Sequence, residues 1–228
     1  MPRPVLVLLV AGLVVAGCSR PSAPPAEEQA VQESPTPVVP TAQSADTPET
    51  AAGRALGVGD QAPDFVLPNA MGQDVRLSEL LDRGPVVLTF YRGAWCPYCN
   101  NQLRDYQDVL GEIEAAGATL VAVSPQAPDG SMTMAERNGL AFPVLSDVGN
   151  EVSRQYGLVF TVDDATRERY RAVGVDLAAV NGTDAWELPV PATYVVEPDG
   201  TIRAAFVEAD YTQRASARQV LDALRRAA

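Results

Sequence analysis

The sequence of 228 residues contains no histidine. Histidine is the commonest general base in enzymes, so its absence excludes mechanisms in which a histidine activates the nucleophile. The absence also weakens a zinc site, because a structural zinc needs about four cysteine or histidine ligands. The chain has three cysteines, and Cys18 lies far from Cys96 and Cys99. We therefore expect no metal site.

Basic residues are also few. Lysine and arginine number 17 against 29 aspartates and glutamates, which gives a net charge of −12. Recognition of nucleic-acid phosphates needs clustered basic side chains, so we expect no nucleic-acid partner. The sequence also lacks a phosphate loop and a dinucleotide fingerprint. We expect no cofactor, and electrons should come from a partner protein.

The N-terminus has the pattern of an export signal. Arg3 precedes an apolar run over residues 5–15, and the small residues Ala16 and Gly17 precede Cys18. This pattern predicts a secretory signal over residues 1–17, and the run is short for a membrane span of about 20 residues. The sequence VAGC resembles the lipobox of bacterial lipoproteins, which implies lipid attachment at Cys18 and anchoring to the cell-envelope membrane outside the cytoplasm. The alternative is an ordinary signal peptide with an incidental cysteine.

The composition changes after Cys18. Residues 19–55 hold seven prolines among alanine, serine, threonine, glutamine and glutamate, with few large apolar side chains. Such a segment cannot bury enough surface to offset its ordering entropy. We predict a disordered linker over residues 18–55 and one folded domain over residues 56–228.

The folded part predicts an α/β domain. Continuous apolar runs at 85–92 and 118–125 are typical of strands buried on both faces, and Asp199-Gly200 predicts the turn of a hairpin over 192–208. Their alternation with helical patterns favours a central mixed sheet flanked by helices. The sequence also predicts a hairpin that turns near Met71-Gly72 and a short strand at 142–147. Helices are predicted from just after Cys96 to Gly117, at 131–139, at 149–157 and at the C-terminus. Residues 158–188 are predicted to form an insertion with a helix over Asp164–Val173.

The motif WCPYC, residues 95–99, falls between a buried strand and the first turn of a helix. Pro97 suits that turn, and the free N–H groups of a helix start favour a thiolate. Cys96 and Cys99 share a helix face, so their sulfurs can meet as a redox pair. Cys96, nearest the helix end, should have the lower pKa and the better access. Two inert structural cysteines are the alternative.

Two neighbours could support this pair. Arg92, four residues before Cys96, either adds positive charge beside the thiolate or is a surface arginine at a strand end. Trp95 either shields one side of the site or packs as an ordinary aromatic residue.

Residues 56–228 resemble the thioredoxin-like superfamily and, within it, the alkyl hydroperoxide reductase/thiol-specific antioxidant family. The resemblance rests on GDQAPDFVLPNAMGQDVRLSELL, VVLTFYRGAWCPYCNNQL, LVFTVDDATRERY and LPVPATYVVEPDGTIRAAFVEADYTQR. It implies a thioredoxin-like fold and a thiol peroxidase that reduces hydrogen peroxide or organic hydroperoxides with a thioredoxin-like protein reductant. It further implies that Pro191, just before a strand, is cis and faces the dithiol; a trans proline at a strand edge is the alternative.

The resemblance mixes two active sites. Cys99 falls at the peroxidatic position, whereas Cys96, Arg92 and Pro191 replace the threonine, proline and arginine of peroxiredoxins. By the thioredoxin pattern Cys96 attacks and Cys99 resolves, and by the peroxiredoxin pattern the roles reverse. A peroxidase, an oxidoreductase acting on the disulfides of exported proteins, and a non-enzymatic scaffold or redox sensor therefore remain open. We take residues 210–212 as surface structure.

Overall fold

The computed structural model describes residues 46–226. The predicted signal segment, Cys18 and most of the predicted linker lie outside the described residues. The helices are α1 Pro48–Arg54, α2 Leu77–Leu81, α3 Pro97–Asp108, α4 Leu110–Ala115, α5 Pro128–Asn138, α6 Glu151–Gln155, α7 Asp164–Ala172, α8 Leu177–Asn181 and α9 Ala217–Arg225. The strands are β1 Val66–Pro68, β2 Asp74–Arg76, β3 Val86–Phe90, β4 Thr119–Ser124, β5 Val144–Ser146, β6 Val159–Thr161, β7 Glu187–Pro189, β8 Ala192–Val196 and β9 Ile202–Val207.

A five-stranded sheet forms the centre of the domain. Its strand order is β5-β4-β3-β8-β9. Strand β3 pairs in parallel with β4, which pairs in parallel with β5, whereas β8 pairs antiparallel with both β3 and β9. The α/β class and the mixed sheet expected from the sequence are confirmed, as are the hairpins at β1–β2 and β8–β9.

Both faces of the central strand are covered, as the unbroken apolar run predicted. Val86, Leu88 and Phe90 belong to one hydrophobic cluster, and Val87 belongs to a second cluster. Because successive side chains of a strand point to opposite faces, the two clusters lie on opposite sides of the sheet. The second cluster also contains both cysteines of the WCPYC motif, which places the motif at the edge of a packed core.

The helix predicted from the motif to Gly117 is two helices. The helix is interrupted at Val109, which lies between α3 and α4 with φ −108° and ψ 9°. The predicted end is confirmed, because Gly117 has φ 75°, a left-handed conformation in which glycine is favoured. Leu103 and Tyr106 of α3 and Ile113 of α4 still face the same buried cluster.

The disordered linker was predicted too long. Residues 48–54 form α1, which begins with a capping box between Thr47 and Thr50 and has Pro48 in its first turn. This start chemistry stabilises a helix end. The composition of this segment did not predict a helix, because α1 buries one side chain, Ala51, and so has no apolar face in the sequence.

Helix α1 belongs to the folded domain. Arg54 at its end donates from Nε to the backbone oxygen of Gly157 at 3.2 Å and from Nη2 to that of Val159. The backbone oxygen of Asp46 accepts from the N–H of Thr161 at 3.0 Å. The domain therefore begins before Leu56, where the sequence placed its start.

The insertion between α6 and β8 is a small structure of its own. Helix α7 confirms the predicted helix, whereas β6, β7 and α8 were not predicted. Strands β6 and β7 pair antiparallel. Val162, Leu177, Trp186 and Leu188 form a small hydrophobic cluster there. The strands are three residues long, too short to give a clear alternating pattern in the sequence.

Between residues 46 and 226, no helix combines the length and the apolar character that crossing a membrane requires.

The contact between α1 and the insertion predicts an unequal pair of glycine substitutions. Gly157 has φ 74°, and a Cβ there would lie 2.6 Å from the oxygen of Arg54; Gly174 has φ 79° with nothing within 4 Å. Gly174→Ala should lower the free energy of unfolding by about 1–2 kcal/mol through its positive φ alone. Gly157→Ala should cost about 1–3 kcal/mol more, because the added methyl overlaps backbone. Urea unfolding of the reduced protein measures both, and equal losses would show that α1 is not docked.

Candidate active site

A sharp turn after β3 carries the chain to the cysteines. Gly93 has φ 148°, and a Cβ there would overlap the indole nitrogen of Trp95, so the turn requires glycine. Cys96 is the N-cap residue of α3, Pro97 is the first helical residue, and Cys99 is the third. The prediction for Pro97 and the strand-to-helix position of the motif are confirmed.

Two amide side chains hold this turn in place. Asn100 donates from Nδ2 to the backbone oxygens of Ala94 and Cys96, both at 2.8 Å. The backbone N–H of Ala94 donates to Oε1 of Gln126, which follows β4. The positions of the cysteines are thus fixed from both the helix and the sheet.

Both motif cysteines are free thiols and both are buried. The exposed fraction of Cys96 is 1% and that of Cys99 is 0%. The expectation that Cys96 is the accessible thiol was therefore wrong. Its position at the helix end is as predicted, but that position does not reveal that Cys96 belongs to a buried cluster, which also contains Ala94 and Leu103.

The ionisation of the pair also runs opposite to the expectation. Burial of Cys99 opposes ionisation, but the hydrogen bond from Cys96 and the charges of Arg214 and Arg92 outweigh it and lower the pKa of Cys99 to about 6. The hydrogen bond with Cys99, followed by burial, raises the pKa of Cys96. In the reduced pair, the thiolate is therefore favoured on Cys99 and the proton on Cys96.

Arg214 supplies charge that the sequence did not reveal. Its Nη2 lies 3.5 Å from Sγ of Cys99 and 3.9 Å from Sγ of Cys96. The residue lies in the loop between β9 and α9, 115 positions from Cys99. Its only sequence signal was its place in the segment ADYTQR, which carried the family resemblance.

Hydrogen bonds orient this guanidinium. Nε of Arg214 donates to the backbone oxygen of Tyr211 at 2.7 Å, and Nη1 donates to Oε1 of Gln102 at 3.2 Å. Gln102 is itself held by a buried network, because its Nε2 donates to the hydroxyl of Tyr106 at 3.0 Å and lies 3.4 Å from that of Thr193. A planar guanidinium with two of its three nitrogens fixed presents the third to the sulfurs in one orientation.

Arg92 lies in a pocket of aromatic rings. Its guanidinium carbon lies 4.1 Å from the ring centre of Tyr211, 4.9 Å from Trp95 and 5.7 Å from Tyr170, and its Nη2 donates to the hydroxyl of Tyr170. The side chain is 3% exposed, so the surface interpretation was wrong. Burial lowers the pKa of Arg92, and the charges of the two cysteines oppose that effect. An arginine side chain keeps its proton in proteins, so Arg92 is a cation near the pair.

The aromatic rings around Arg92 bear on two further expectations. The rings of Trp95 and Tyr170 both lie against Arg92. The centres of these two rings are 5.1 Å apart. Tyr211 is exposed, as the surface interpretation of residues 210–212 predicted, but its ring also stacks on Arg92 and lies 5.7 Å from the ring of Tyr98, measured between ring centres. A half-exposed tyrosine on a loop gives no sequence signal for such a contact.

Pro191 is buried directly before β8, at the end of the sheet that carries the motif. It lines a cleft together with Arg92 and Tyr211 and a small gap together with Gln102 and Arg214. Its place beside the site agrees with the expectation, and the cis form of its peptide bond stays a prediction. Across residues 46–226 no group of three or more metal-ligating side chains occurs.

The fold and the site define a class of protein, the thiol-dependent oxidoreductases with a thioredoxin-like fold. Residues 58–205, well over half of the chain, match the AhpC/TSA family. The chain belongs to the AhpC/TSA family, and the resemblance seen in the sequence is confirmed.

Among curated proteins, the chain is 40% identical over 102 residues to Rv2521 of Mycobacterium tuberculosis, which is named as a peroxiredoxin. The match covers 45% of this chain and 64% of that relative, so it spans less than two thirds of the relative's length. A second relative, the thiol-disulfide oxidoreductase ResA of Halalkalibacterium halodurans, is 34% identical over 109 residues, which are 47% of this chain and 61% of ResA.

Solved structures give the same fold. Peroxidoxin BcpB from Mycobacterium tuberculosis aligns with a TM-score of 0.60 and 26% identity over 75% of this chain and 97% of its own. A Xanthomonas campestris peroxiredoxin Q mutant aligns with a TM-score of 0.59 and 20% identity over 75% of this chain and 99% of its own. The second likeness concerns the fold alone.

The charge beside the thiols predicts a shifted titration. Thiolate absorbance near 240 nm should rise with a midpoint at about pH 6, since that is the pKa of Cys99, and it should be lost as the pH falls below that value. Arg214→Gln should move the midpoint upward by about one to three pH units, because an opposite charge near a thiolate stabilises it by that amount. Arg218→Gln is the matched control, since Arg218 is exposed on α9. Equal midpoints in both variants would contradict the role of Arg214.

Proposed function

We propose that the protein is a thiol peroxidase in which Cys99 attacks the peroxide and Cys96 resolves the product. The substrates are hydrogen peroxide or organic hydroperoxides, and a dithiol protein of the thioredoxin type returns the electrons. The observation that carries this proposal is the buried Cys99 sulfur, which lies 3.5 Å from Nη2 of Arg214 and has a pKa of about 6.

The reaction needs no group from outside the chain except the peroxide and the reductant. The Cys99 thiolate attacks one peroxide oxygen, a sulfur–oxygen bond forms, the O–O bond breaks, and the leaving oxygen takes a proton as water or alcohol. The Cys96 thiol then condenses with the Cys99 sulfenic acid, which forms the disulfide and releases water. A dithiol reductant reduces the disulfide through a mixed disulfide, supplying two electrons and two protons.

The histidine-free site supplies its protons and charge in another way. Arg214 and Arg92 stabilise negative charge on sulfur and on the departing oxygen. The hydrogen bond between Cys96 and Cys99 keeps a proton next to the reacting sulfur. The general-base step that histidine usually performs is unnecessary, because Cys99 is already ionised at neutral pH.

A second candidate is a thiol–disulfide oxidoreductase for exported proteins. The CxxC motif and the similarity to ResA over 109 residues favour it. The burial of the pair disfavours it, because a protein disulfide must bring a sulfur into contact with a thiol that is 0–1% exposed. A peroxide is small enough to reach a site that a folded protein cannot enter without opening it.

The two functions predict different reactivity for the reduced chain. Micromolar hydrogen peroxide should oxidise the wild-type thiols rapidly, and an oxidised protein substrate should do so slowly, as followed by tryptophan fluorescence in stopped flow. Cys96→Ser should still react with peroxide and accumulate a sulfenic acid on Cys99, which a dimedone adduct identifies by mass spectrometry. Cys99→Ser should react at least about 100-fold more slowly, because a thiol whose pKa lies two units above the pH is about 1% ionised.

The control reagent for that experiment is an alkylating agent, which reports thiol access without peroxide chemistry. Fast disulfide exchange together with sluggish peroxide reaction would favour the oxidoreductase. A sulfenic acid found on Cys96 in Cys99→Ser, formed at the wild-type rate, would reverse the two roles. No reaction in any arm would refute both functions.

We also propose that the chain is exported and held at the cell-envelope membrane by lipid on Cys18. The support is the signal pattern of residues 1–17 and the VAGC sequence that ends at Cys18. Two or more acyl chains give stable anchoring, at about 0.8 kcal/mol per buried methylene.

Anchoring at Cys18 predicts a change in fractionation. In bacterial cells that express the full chain, the wild type should sediment with membranes and label with a fatty-acid probe. Cys18→Ser should lose the label and leave the membrane fraction. Cys99→Ser serves as the control for loss of a thiol, and a Cys18→Ser protein that still sediments with membranes contradicts the anchor.

A further inference from the structure

Arg92 is a buried cation without a carboxylate partner. Its side chain is 3% exposed, and neither Arg92 nor Arg214 forms an ion pair with an aspartate or glutamate among residues 46–226. The ring of Tyr211 stacks on Arg92 at 4.1 Å. The backbone oxygen of Tyr211 accepts from Arg214, which lies 3.5 Å from the Cys99 sulfur. The charges of both cysteines favour the cationic form of Arg92, against the effect of burial. The Cys99 thiolate therefore acts as the counter-ion of Arg92.

Formation of a disulfide between Cys96 and Cys99 removes that counter-ion. The two thiol groups lose two electrons and two protons to the oxidant, and neither sulfur of the disulfide carries a charge. A buried cation that loses its partner charge is strongly destabilised. An anion from solution that binds at Arg92 would restore the balance of charge.

A cleft gives such an anion room to bind. Arg92 lines this cleft of about 460 Å³ together with Tyr170 and Tyr211. The hydroxyl of Tyr170 accepts from Nη2 of Arg92, but Nε of Arg92 has no hydrogen-bond partner in the part of the chain that the structure describes. An unpartnered buried donor is rare in native proteins. The cleft therefore offers an anion an unused donor on a charged group.

The carboxylates of the cleft limit the charge that this anion can carry. Three aspartates line it, Asp46, Asp163 and Asp164. Two of them are paired with arginines, Asp46 with Arg54 and Asp164 with Arg167. Repulsion from these carboxylates grows with the charge of the ligand, so the cleft favours a small monovalent anion over sulfate or phosphate.

We propose that the cleft binds one small monovalent anion at Arg92 when Cys96 and Cys99 are joined in a disulfide. The thiolate of the reduced pair disfavours the anion, because it already balances the charge of Arg92. By linkage, an anion that binds the oxidised form more tightly stabilises the disulfide and lowers its reduction potential. The assignment rests on the dithiol–disulfide cycle of the proposed function and adds a ligand that regulates this cycle.

The fluorescence of Trp95 measures the binding. Its ring lies 4.9 Å from the guanidinium carbon of Arg92, so a bromide ion at Arg92 should quench it. Trp186→Phe leaves Trp95 as the single tryptophan, and diamide forms the disulfide without peroxide. At pH 8, bromide should quench the oxidised full chain saturably and bind it at least about tenfold more tightly than the reduced chain, the smallest effect expected of one neighbouring charge. Sodium sulfate keeps the ionic strength constant and should not displace the bromide.

Protonation of Cys99 should act on the anion as the disulfide does. The pKa of Cys99 is about 6, so the thiolate is present above pH 6 and lost below it. Bromide should therefore bind the reduced chain at least about fivefold more tightly at pH 5 than at pH 8, since about nine tenths of Cys99 is then protonated. The oxidised chain is the control for every other group that faces Arg92 or lines the cleft, and its affinity should stay the same. These groups are Tyr170 of α7, Tyr211 and Arg214 of the loop after β9, the three aspartates and Arg167.

Substitutions locate the anion. Arg92→Gln removes the cation and should abolish the saturable quenching. Thr161 is exposed and lines the cleft, so Thr161→Glu should weaken bromide binding to the oxidised chain about two- to fivefold through like charge. Thr161→Gln has the same size without the charge and should bind as the parent does. This matched pair decides the location if Arg92→Gln does not fold.

The reduction potential of the wild type is a second readout that needs no substitution. In thiol redox buffers of fixed ionic strength, replacing sulfate by saturating bromide should lower the midpoint potential by about 30 mV or more. The reason is that a tenfold difference in affinity corresponds to about 30 mV for a two-electron couple.

The outcomes separate the anion site from the proposed function. A disulfide that forms with diamide but binds no bromide, or binds it no more tightly than the reduced chain does, overturns the anion site and leaves the peroxidase standing. Unchanged binding in Arg92→Gln or equal binding in the two Thr161 variants overturns the location. Displacement of bromide by sulfate overturns the preference for a monovalent anion. If diamide fails to join the cysteines, the redox cycle is refuted and the anion site falls with it.

Discussion

A thiolate inside a protein exists only where positive charge and hydrogen bonds replace the water it has lost. In this chain Nη2 of Arg214 lies 3.5 Å from the sulfur of Cys99, and the ionisation of the cysteine pair depends on this contact. Arg92 adds a second cation whose charge also lowers the pKa of Cys99. Arg92 is buried and Arg214 is partly buried, and the charge of Arg214 disfavours the charged form of Arg92. The attraction of Arg92 to the cysteine sulfurs opposes that repulsion.

The fold brings segments that are distant in the sequence to one end of β3. The turn at Gly93 delivers the cysteines, the loop after β9 delivers Arg214, and the insertion delivers Tyr170, which donates nothing to the sulfurs but accepts from Arg92. Cys99 and Arg214 are separated by 115 residues, and Arg92 and Tyr170 by 78. The central sheet makes both encounters possible, since β8 and β9 bring the C-terminal third of the chain next to β3.

The elements that depend on local pattern could be predicted from the sequence: the buried strand β3, Pro97 at the start of α3, and the glycine that ends α4. Arg214 and the aromatic cage of Arg92 could not, because a side chain reaching across the fold leaves no periodicity in its own segment. The misplaced thiolate has a related cause. Helix-end electrostatics favours Cys96, but the nearest cation and the hydrogen bond between the thiols favour Cys99, and only tertiary structure shows which is stronger.

Cys96, which occupies the position that holds threonine in peroxiredoxins, can affect Cys99 in two ways. The Cys96 thiol hydrogen-bonds to the Cys99 sulfur, which lowers the pKa of Cys99, and it is also the group that can condense with the oxidised sulfur. Disulfide formation removes the negative charge that Arg214 and Arg92 stabilise. The reduced state is thus favoured by electrostatics that the oxidised state lacks, which makes the disulfide of such a pair oxidising and easily reduced. In the proposed cycle, the arginines that stabilise the Cys99 thiolate therefore also favour the return of the pair to the dithiol.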